Sequence, residues 1–306
     1  MKQRTFALLI VTVLLASFLV MGPAAAQSDT LTIASGTDIE NLNIHIVTSS
    51  PSFSVLEHIY EPLFSMSPEG ELEPLLAESI EATSDTTYRI TLKEGISFTD
   101  GTPLNAEAVK ANLDWVLDEA NGAPFRFLLV VNGEPAEVAV VDEYTLEITT
   151  AAPFAPLPAH LSHGALGIIS PALLEQGADA MASNAVGTGP YVLESWSRAE
   201  EVVLKRNPDY WGEAPAIETL VFKVVQEDGA RIVEIEAGTV DVAVRVPPAE
   251  IPRLEANPNI DVVVTPGLRT IYVFFNVNNE PFDDVRVRQA AYHAIDTKAI
   301  VDALTY

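Results

Sequence analysis

The run Asn184-Ala185-Val186-Gly187-Thr188-Gly189-Pro190-Tyr191 constrains this chain more than any other stretch; Trp196, Asn207-Pro208-Asp209-Tyr210-Trp211-Gly212 and Pro215 follow it. Two glycines flanking a single threonine allow a backbone course that a Cβ would obstruct. Tyr210 and Trp211 are expected to pack as an aromatic plug. A Gly-Thr-Gly sequence can also suggest a phosphate loop. Here no Lys-Ser/Thr follows and no helix start is signalled, so phosphate cradling is rejected.

The N-terminus reads as a processing segment rather than as part of the fold. Lys2 and Arg4 precede an apolar stretch from Phe6 to Val20, and Gly22-Pro23 leads into Ala24-Ala25-Ala26. Small residues at the end of such a stretch mark a secretory signal, expected to be cut after Ala26. A membrane anchor is the competing reading, because the apolar run approaches spanning length. No second run of that length occurs. The chain contains no cysteine, so disulfides and an acylated N-terminal cysteine are both excluded, and stability must come from a hydrophobic core. The expected location is the periplasm, without a lipid tether.

The formal net charge is −26. Phosphate binding needs clustered Lys and Arg, so this charge argues against nucleic acid and anionic lipid as partners.

Periodicity gives a mixed α/β pattern. Strands are expected near 31–34, at 87–92, in a hairpin at 138–141 and 144–148, near 191–196, 202–205, 220–225, 240–244 and 260–264, and across the alternating residues 271–277. Helices are expected near 53–60, over 106–119 with Asn105 as N-cap, over 228–237, at 249–255, and after Asp284. Strand, helix, strand order of this kind implies a partly parallel sheet with helices on its faces.

The sequence offers no catalytic set. There is no thiol nucleophile, no Gly-X-Ser-X-Gly elbow and no His-Glu-X-X-His. Abundant carboxylates without defined spacing do not make an acid/base pair, so a secreted hydrolase is the weakest alternative. A structural or adhesion protein would show repeats or low-complexity spacers, and neither occurs.

Four blocks, in order, carry a family resemblance: Phe98-Thr99-Asp100-Gly101-Thr102-Pro103-Leu104-Asn105-Ala106-Glu107-Ala108-Val109; Val186 to Tyr191; Asn207 to Gly212; and Phe275-Asn276 with Pro281 to Ala290. From about Leu31 onward the chain resembles family 5 of the extracellular solute-binding proteins, the peptide, nickel and oligosaccharide receptors of ABC importers. The resemblance implies an α/β, two-lobed fold of the periplasmic-binding-protein type (type II) with an extra subdomain in lobe I. Lobe I would span 27–268, its inserted subdomain about 48–178, and 269–306 would be the hinge and the start of a truncated lobe II. It implies a monomer without cofactor or metal that captures a peptide or other small solute between its lobes. Closure would follow, and delivery to an ABC permease in the inner membrane.

The resemblance also places candidate ligand contacts. They are Thr48, Ser49, Ser50 and Phe53 after the first strand; His163; Val244 and Arg245; and Arg269, Tyr272 and Phe274 near the crossing between lobes. The alternative for each hydroxyl or aromatic is a local turn contact or core packing. Arg245 offers a planar fork of donors suited to a carboxylate, against the alternative of pairing with a surface acid. A nickel or metal-chelate receptor of the same family is the alternative function, with His45, His160 and His163 as the imidazoles to weigh.

Overall fold

The computed structural model describes residues 29–265 and 272–304. The leader through Ala26 and the candidate Arg269 lie outside them. In chain order the main elements are β1 (Thr30–Ser35), α1 (Ser50–Leu56), β2 (Ala77–Ala82), β3 (Thr87–Leu92), α2 (Ala106–Leu117), β4 (Glu137–Asp142) and β5 (Thr145–Thr149). There follow β6 (Tyr191–Ser197), β7 (Glu201–Arg206), β8 (Thr219–Val224), α3 (Asp228–Ala237), β9 (Val242–Ala243), α4 (Ile251–Glu255), α5 (Val285–Ala294) and α6 (Thr297–Leu304).

Two sheets organise these elements. The larger has the order β6-β7-β8-β1-β9. β6, β7 and β8 are antiparallel, whereas β1 runs parallel to both of its neighbours, pairing Thr30 with Thr219 and Ile33 with Val242. Parallel neighbours need crossover connections, and α3 supplies the one between β8 and β9. The smaller sheet is antiparallel, in the order β2-β3-β5-β4. Alternation in β3 buries Ile90 and Leu92 and exposes Arg89, the outcome expected for a strand with one face on a core.

Each sheet has its own core. Around the antiparallel sheet a cluster runs from Leu63 to Ile168 and includes Ile90, Leu113, Leu146 and Ile148. α2 seals it with Val109, Leu113 and Val116, spaced for one helical face, while Asn105 caps the helix by accepting from the Ala108 N–H at 2.9 Å. Around the larger sheet a second cluster joins Ile44, Leu56, Ile59 and Tyr60 to Leu204 and Leu220. Trp115 and Val186 pack against both clusters. Truncating a fully buried leucine such as Leu56 or Leu113 costs about 2–5 kcal/mol.

The glycines of the Gly-Thr-Gly run are explained by the chain that continues from α1. A Cβ on Gly187 would lie 2.0 Å from the Ile59 carbonyl oxygen, and one on Gly189 would lie 2.5 Å from the His58 oxygen. The same approach is fixed by Gly189 N–H donating to Ile59 at 2.9 Å and Tyr191 N–H donating to His58 at 3.0 Å. Backbone meets backbone here without room for a side chain.

Three expectations are corrected. The helix near 53–60 begins earlier, at Ser50, because Ser49 caps it and Pro51 occupies its first turn. The strand expected at 260–264 does not form. Residues 259–265 run beside 241–246 across an open cavity of about 660 Å³, so no ladder is made, and Val263 and Val264 are exposed. Residues 272–276 likewise are not strand, and no ladder partner faces them among the described residues. Alternation alone cannot supply the hydrogen-bonding neighbour that a strand requires.

Candidate functional site

α1 is short, and its two sides face different surroundings. Ahead of it Glu40 organises the entry: its carboxylate accepts from the Thr48 N–H at 2.6 Å, the Thr48 hydroxyl at 3.0 Å and the Ser49 N–H at 3.3 Å. Partial burial works to raise the Glu40 pKa, but these bonds and the Ser52 hydroxyl outweigh it and hold the carboxyl below its usual range. Thr48 is therefore tied to Glu40. Ser49 is the N-cap, its hydroxyl 2.9 Å from that of Ser52.

Ser50, Pro51, Ser54 and Val55 form one side of α1 and line a cavity of about 160 Å³. Its other walls are Ser35 at the end of β1, Thr37, Asp38 and Ile39 after it, Val244 and Arg245 after β9, and a floor of Val202, Phe222 and Val224 from the sheet. The candidates Ser50, Val244 and Arg245 are thus brought together from positions nearly two hundred residues apart. The cavity sits at the C-terminal ends of the parallel strands β1 and β9, where open α/β sheets bind ligands.

Arg245 adopts a left-handed backbone, φ 58°, which a non-glycine residue holds only when its surroundings impose it. Arg231 of α3 contributes to that. Buried at 4% exposure, it donates to the carbonyls of Val225 at 2.7 Å and Gln226 at 3.0 Å, pairs with Asp228, and reaches the Arg245 carbonyl at 3.4 Å. Asp38 is fixed on the opposite wall by the Trp196 indole N–H at 3.1 Å and the Ala199 N–H at 2.8 Å.

The other side of α1 carries Phe53, and Glu57 follows the helix as its C-cap. Phe53 meets Phe125 and His163 edge to face, with ring centroids 5.7 and 5.5 Å away. His163 lies 4.5 Å from Phe125. Its Nδ1 accepts from the Ala165 N–H at 3.0 Å, capping the turn Gly164–Leu166. Burial, with His160 adding to it, lowers the His163 pKa, and an Nδ1 that accepts from a backbone N–H leaves Nε2 as the nitrogen that carries a proton. Tyr272 and Phe274 pack on one another at 5.5 Å but are exposed at 64% and 85%, and among the described residues they do not join either side of α1.

The histidines weighed as metal ligands do not converge. His45 is fully buried, with Nδ1 2.8 Å from the Ala165 carbonyl and Nε2 3.0 Å from Asn112 Oδ1. His160 Nδ1 meets the Leu128 carbonyl at 2.8 Å. Among the described residues no three of His, Cys, Asp and Glu gather as a metal site.

Sequence reasoning missed Asp38, Ser54, Arg231 and Glu61. The spacing of Ser50 with Ser54 was the available signal, since residues four apart share a helical face. Glu61 had no local signal at all. Buried at 4% exposure, it accepts from Thr188 Oγ1, Tyr210 OH and Trp211 Nε1, all distant in sequence.

Residues 71–306 match the profile of the Bacterial extracellular solute-binding proteins, family 5 Middle. The chain is 34% identical over 302 residues to the glutathione-binding protein GsiB of Shigella dysenteriae serotype 1 (strain Sd197), an alignment covering 98% of this chain and 57% of that protein. Among solved structures it is similar to the periplasmic binding protein DppA from Helicobacter pylori in complex with the peptide STSA. That match has a TM-score of 0.79 and 25% identity, and covers 90% of this chain and 58% of that one. It is also similar to a nickel ABC transporter protein from Bacillus halodurans, with a TM-score of 0.69, 28% identity, and coverage of 90% and 55%. The chain spans a little over half the length of the curated relatives it matches.

Proposed function

Because the chain belongs to family 5 of the bacterial extracellular solute-binding proteins, we propose that it is the substrate-binding part of an ABC importer. It captures a peptide or other small solute beside α1, without altering it, and presents it to a membrane permease. The observation that carries this reading is the cavity walled by Ser50 on one element and Arg245 on another, at the C-terminal ends of β1 and β9. A guanidinium at its rim suits a carboxylate of the solute. Glutathione, named for the GsiB relatives, and the peptide bound by DppA both carry carboxylates.

On this reading residues 29–265 form most of lobe I, with the antiparallel sheet as its subdomain, and α5 and α6 open lobe II. The protein works exported and as a monomer. A solute touching both lobes would favour the closed form by its differential affinity.

A nickel-chelate receptor is the second reading, favoured by the Bacillus halodurans structure. Since both nitrogens of His45 are already engaged, the metal would arrive within an organic chelator whose carboxylates meet Arg245. Titration calorimetry with glutathione, with Ser-Thr-Ser-Ala and with nickel citrate tests both. Saturable binding of either peptide supports peptide capture, binding of nickel citrate alone moves the assignment to the chelate, and no saturable heat with any of them overturns solute capture.

A further inference from the structure

The cavity beside α1 has a floor of hydrocarbon. Ile33 of β1 lies opposite Phe222 of β8, and Phe222 lies opposite Val202 of β7, so the three form one row across three strands, on one face of the sheet. Val224 is two residues on from Phe222 and shares that face. All four line the cavity, and Val55 of α1 closes one side. Val55, Val202 and Phe222 are buried.

Polar groups set into the walls are already engaged. Asp38 accepts from its neighbour's N–H, that of Ile39, at 2.8 Å, besides the Trp196 and Ala199 donors. The Ser35 hydroxyl donates to the Thr37 carbonyl at 3.1 Å, and the Ser54 hydroxyl donates to the Ser50 carbonyl at 2.9 Å. Thr37, Ser50 and Arg245 are exposed, which places them at the mouth. A charged or polar group pushed past that mouth gives up water without finding a partner, and this is costly. A hydrocarbon group entering the same space gives up only its contact with water, which is favourable. The size also suits one side chain: the cavity measures about 160 Å³, and an apolar cavity of about 150 Å³ holds a benzene ring.

We propose that this cavity is a specificity pocket for one bulky apolar side chain of the captured solute. The inference rests on the reading that the solute binds beside α1 with a carboxylate at Arg245. It deepens that reading by naming the solute class: the residue that bears the carboxylate carries a branched aliphatic or phenyl side chain. Peptides ending in leucine or phenylalanine fill the space, whereas the terminal glycine of glutathione leaves it empty.

Titration calorimetry of the full chain with Ser-Thr-Ser-Ala, and with the same peptide ending in leucine or in asparagine, tests it. The leucine peptide is expected to bind at least tenfold more tightly than the alanine peptide, the scale for about three further carbons leaving water. Asparagine, similar to leucine in size but polar, gains nothing over alanine. Ser54→Leu fills the cavity from an exposed helix position and brings the ratio of leucine to alanine affinity towards one, with the melting temperature unchanged. Should that variant fail to fold, the three peptides on the unmodified protein decide alone. Equal binding of the leucine and alanine peptides, an equal gain with asparagine, or a leucine preference that survives in folded Ser54→Leu overturns the apolar pocket while solute capture stands. If no peptide binds, both proposals fall.

Discussion

Tyr210 donates its hydroxyl to Glu61 across 2.7 Å, although 149 residues separate them. Trp211 Nε1 at 2.9 Å and Thr188 Oγ1 at 2.8 Å complete the set of donors, and Lys93 lies over the Trp211 ring at 4.9 Å. The Gly-Thr-Gly run and the Tyr-Trp pair, which the sequence presents as separate blocks, are therefore held by a single carboxylate. Burial raises its pKa even though all three donors, and the Lys93 charge, favour the ionised form.

Removing that carboxylate orphans three donors. Glu61→Ala is expected to lower unfolding stability by about 3 kcal/mol, by the cost of unsatisfied buried groups, whereas Glu61→Gln loses less because an amide oxygen still accepts from Thr188 and Trp211. Urea denaturation of both variants checks the order, and equal loss in both would refute the network. Since the folded pKa lies above the unfolded value of 4.5, this group's contribution is full below that value and declines as pH rises through the folded pKa.

Gly187→Ala and Gly189→Ala should be more severe than an ordinary surface change, because each Cβ meets a main-chain carbonyl rather than a flexible side chain. Overpacking against backbone predicts a loss of about 3 kcal/mol or more. Soluble yield and thermal melting measure it. Wild-type melting temperatures in both variants would mean that the run does not pack on Ile59 as described.

Arg245→Ala should weaken solute binding about tenfold, the scale of a lost charge-assisted hydrogen bond, and leave the melting temperature unchanged because the side chain is exposed. Arg231→Met should do the reverse in part, lowering stability by about 2 kcal/mol as the carbonyls of Val225 and Gln226 lose their donor. Binding would fall as well, since the backbone of Arg245 loses a support. Calorimetry and denaturation on the same preparations separate the two effects; a stable Arg231→Met protein with unaltered affinity would contradict this positioning role.

Burial lowers the pKa of His45, although its contacts with Ala165 and Asn112 work against that, and lowers the pKa of His58 as well. The unfolded chain then binds protons that the folded chain refuses. These residues therefore contribute full stability above the unfolded value of 6.5, and the contribution is lost as pH falls below it. Melting curves should show a fall between pH 7.5 and pH 5.5, with a shallower slope in His45→Gln. An identical slope would remove His45 from the account.

Local signals were legible in the sequence and pairings at a distance were not. Asn105 as a cap, the alternation of Thr87–Leu92 and the hairpin around Asp142-Glu143 depend on neighbours a few residues away, and they stand as expected. The apolar run at 260–264 and the alternation over 272–277 misled, because ladder partners are set by the tertiary arrangement. Ser50 and Arg245 could be singled out only by resemblance. Glu61 shows the limit most plainly, for its partners arrive from residues 188, 210 and 211.

The clamp of Gly187 and Gly189 on the chain leaving α1 has an evolutionary corollary. If α1 borders the solute as proposed, its exit is pinned by backbone contacts that leave no space for a shift toward a different cargo. On that reading, a change of diet would fall to the side chains that α1 turns into the cavity, such as those at 50 and 54.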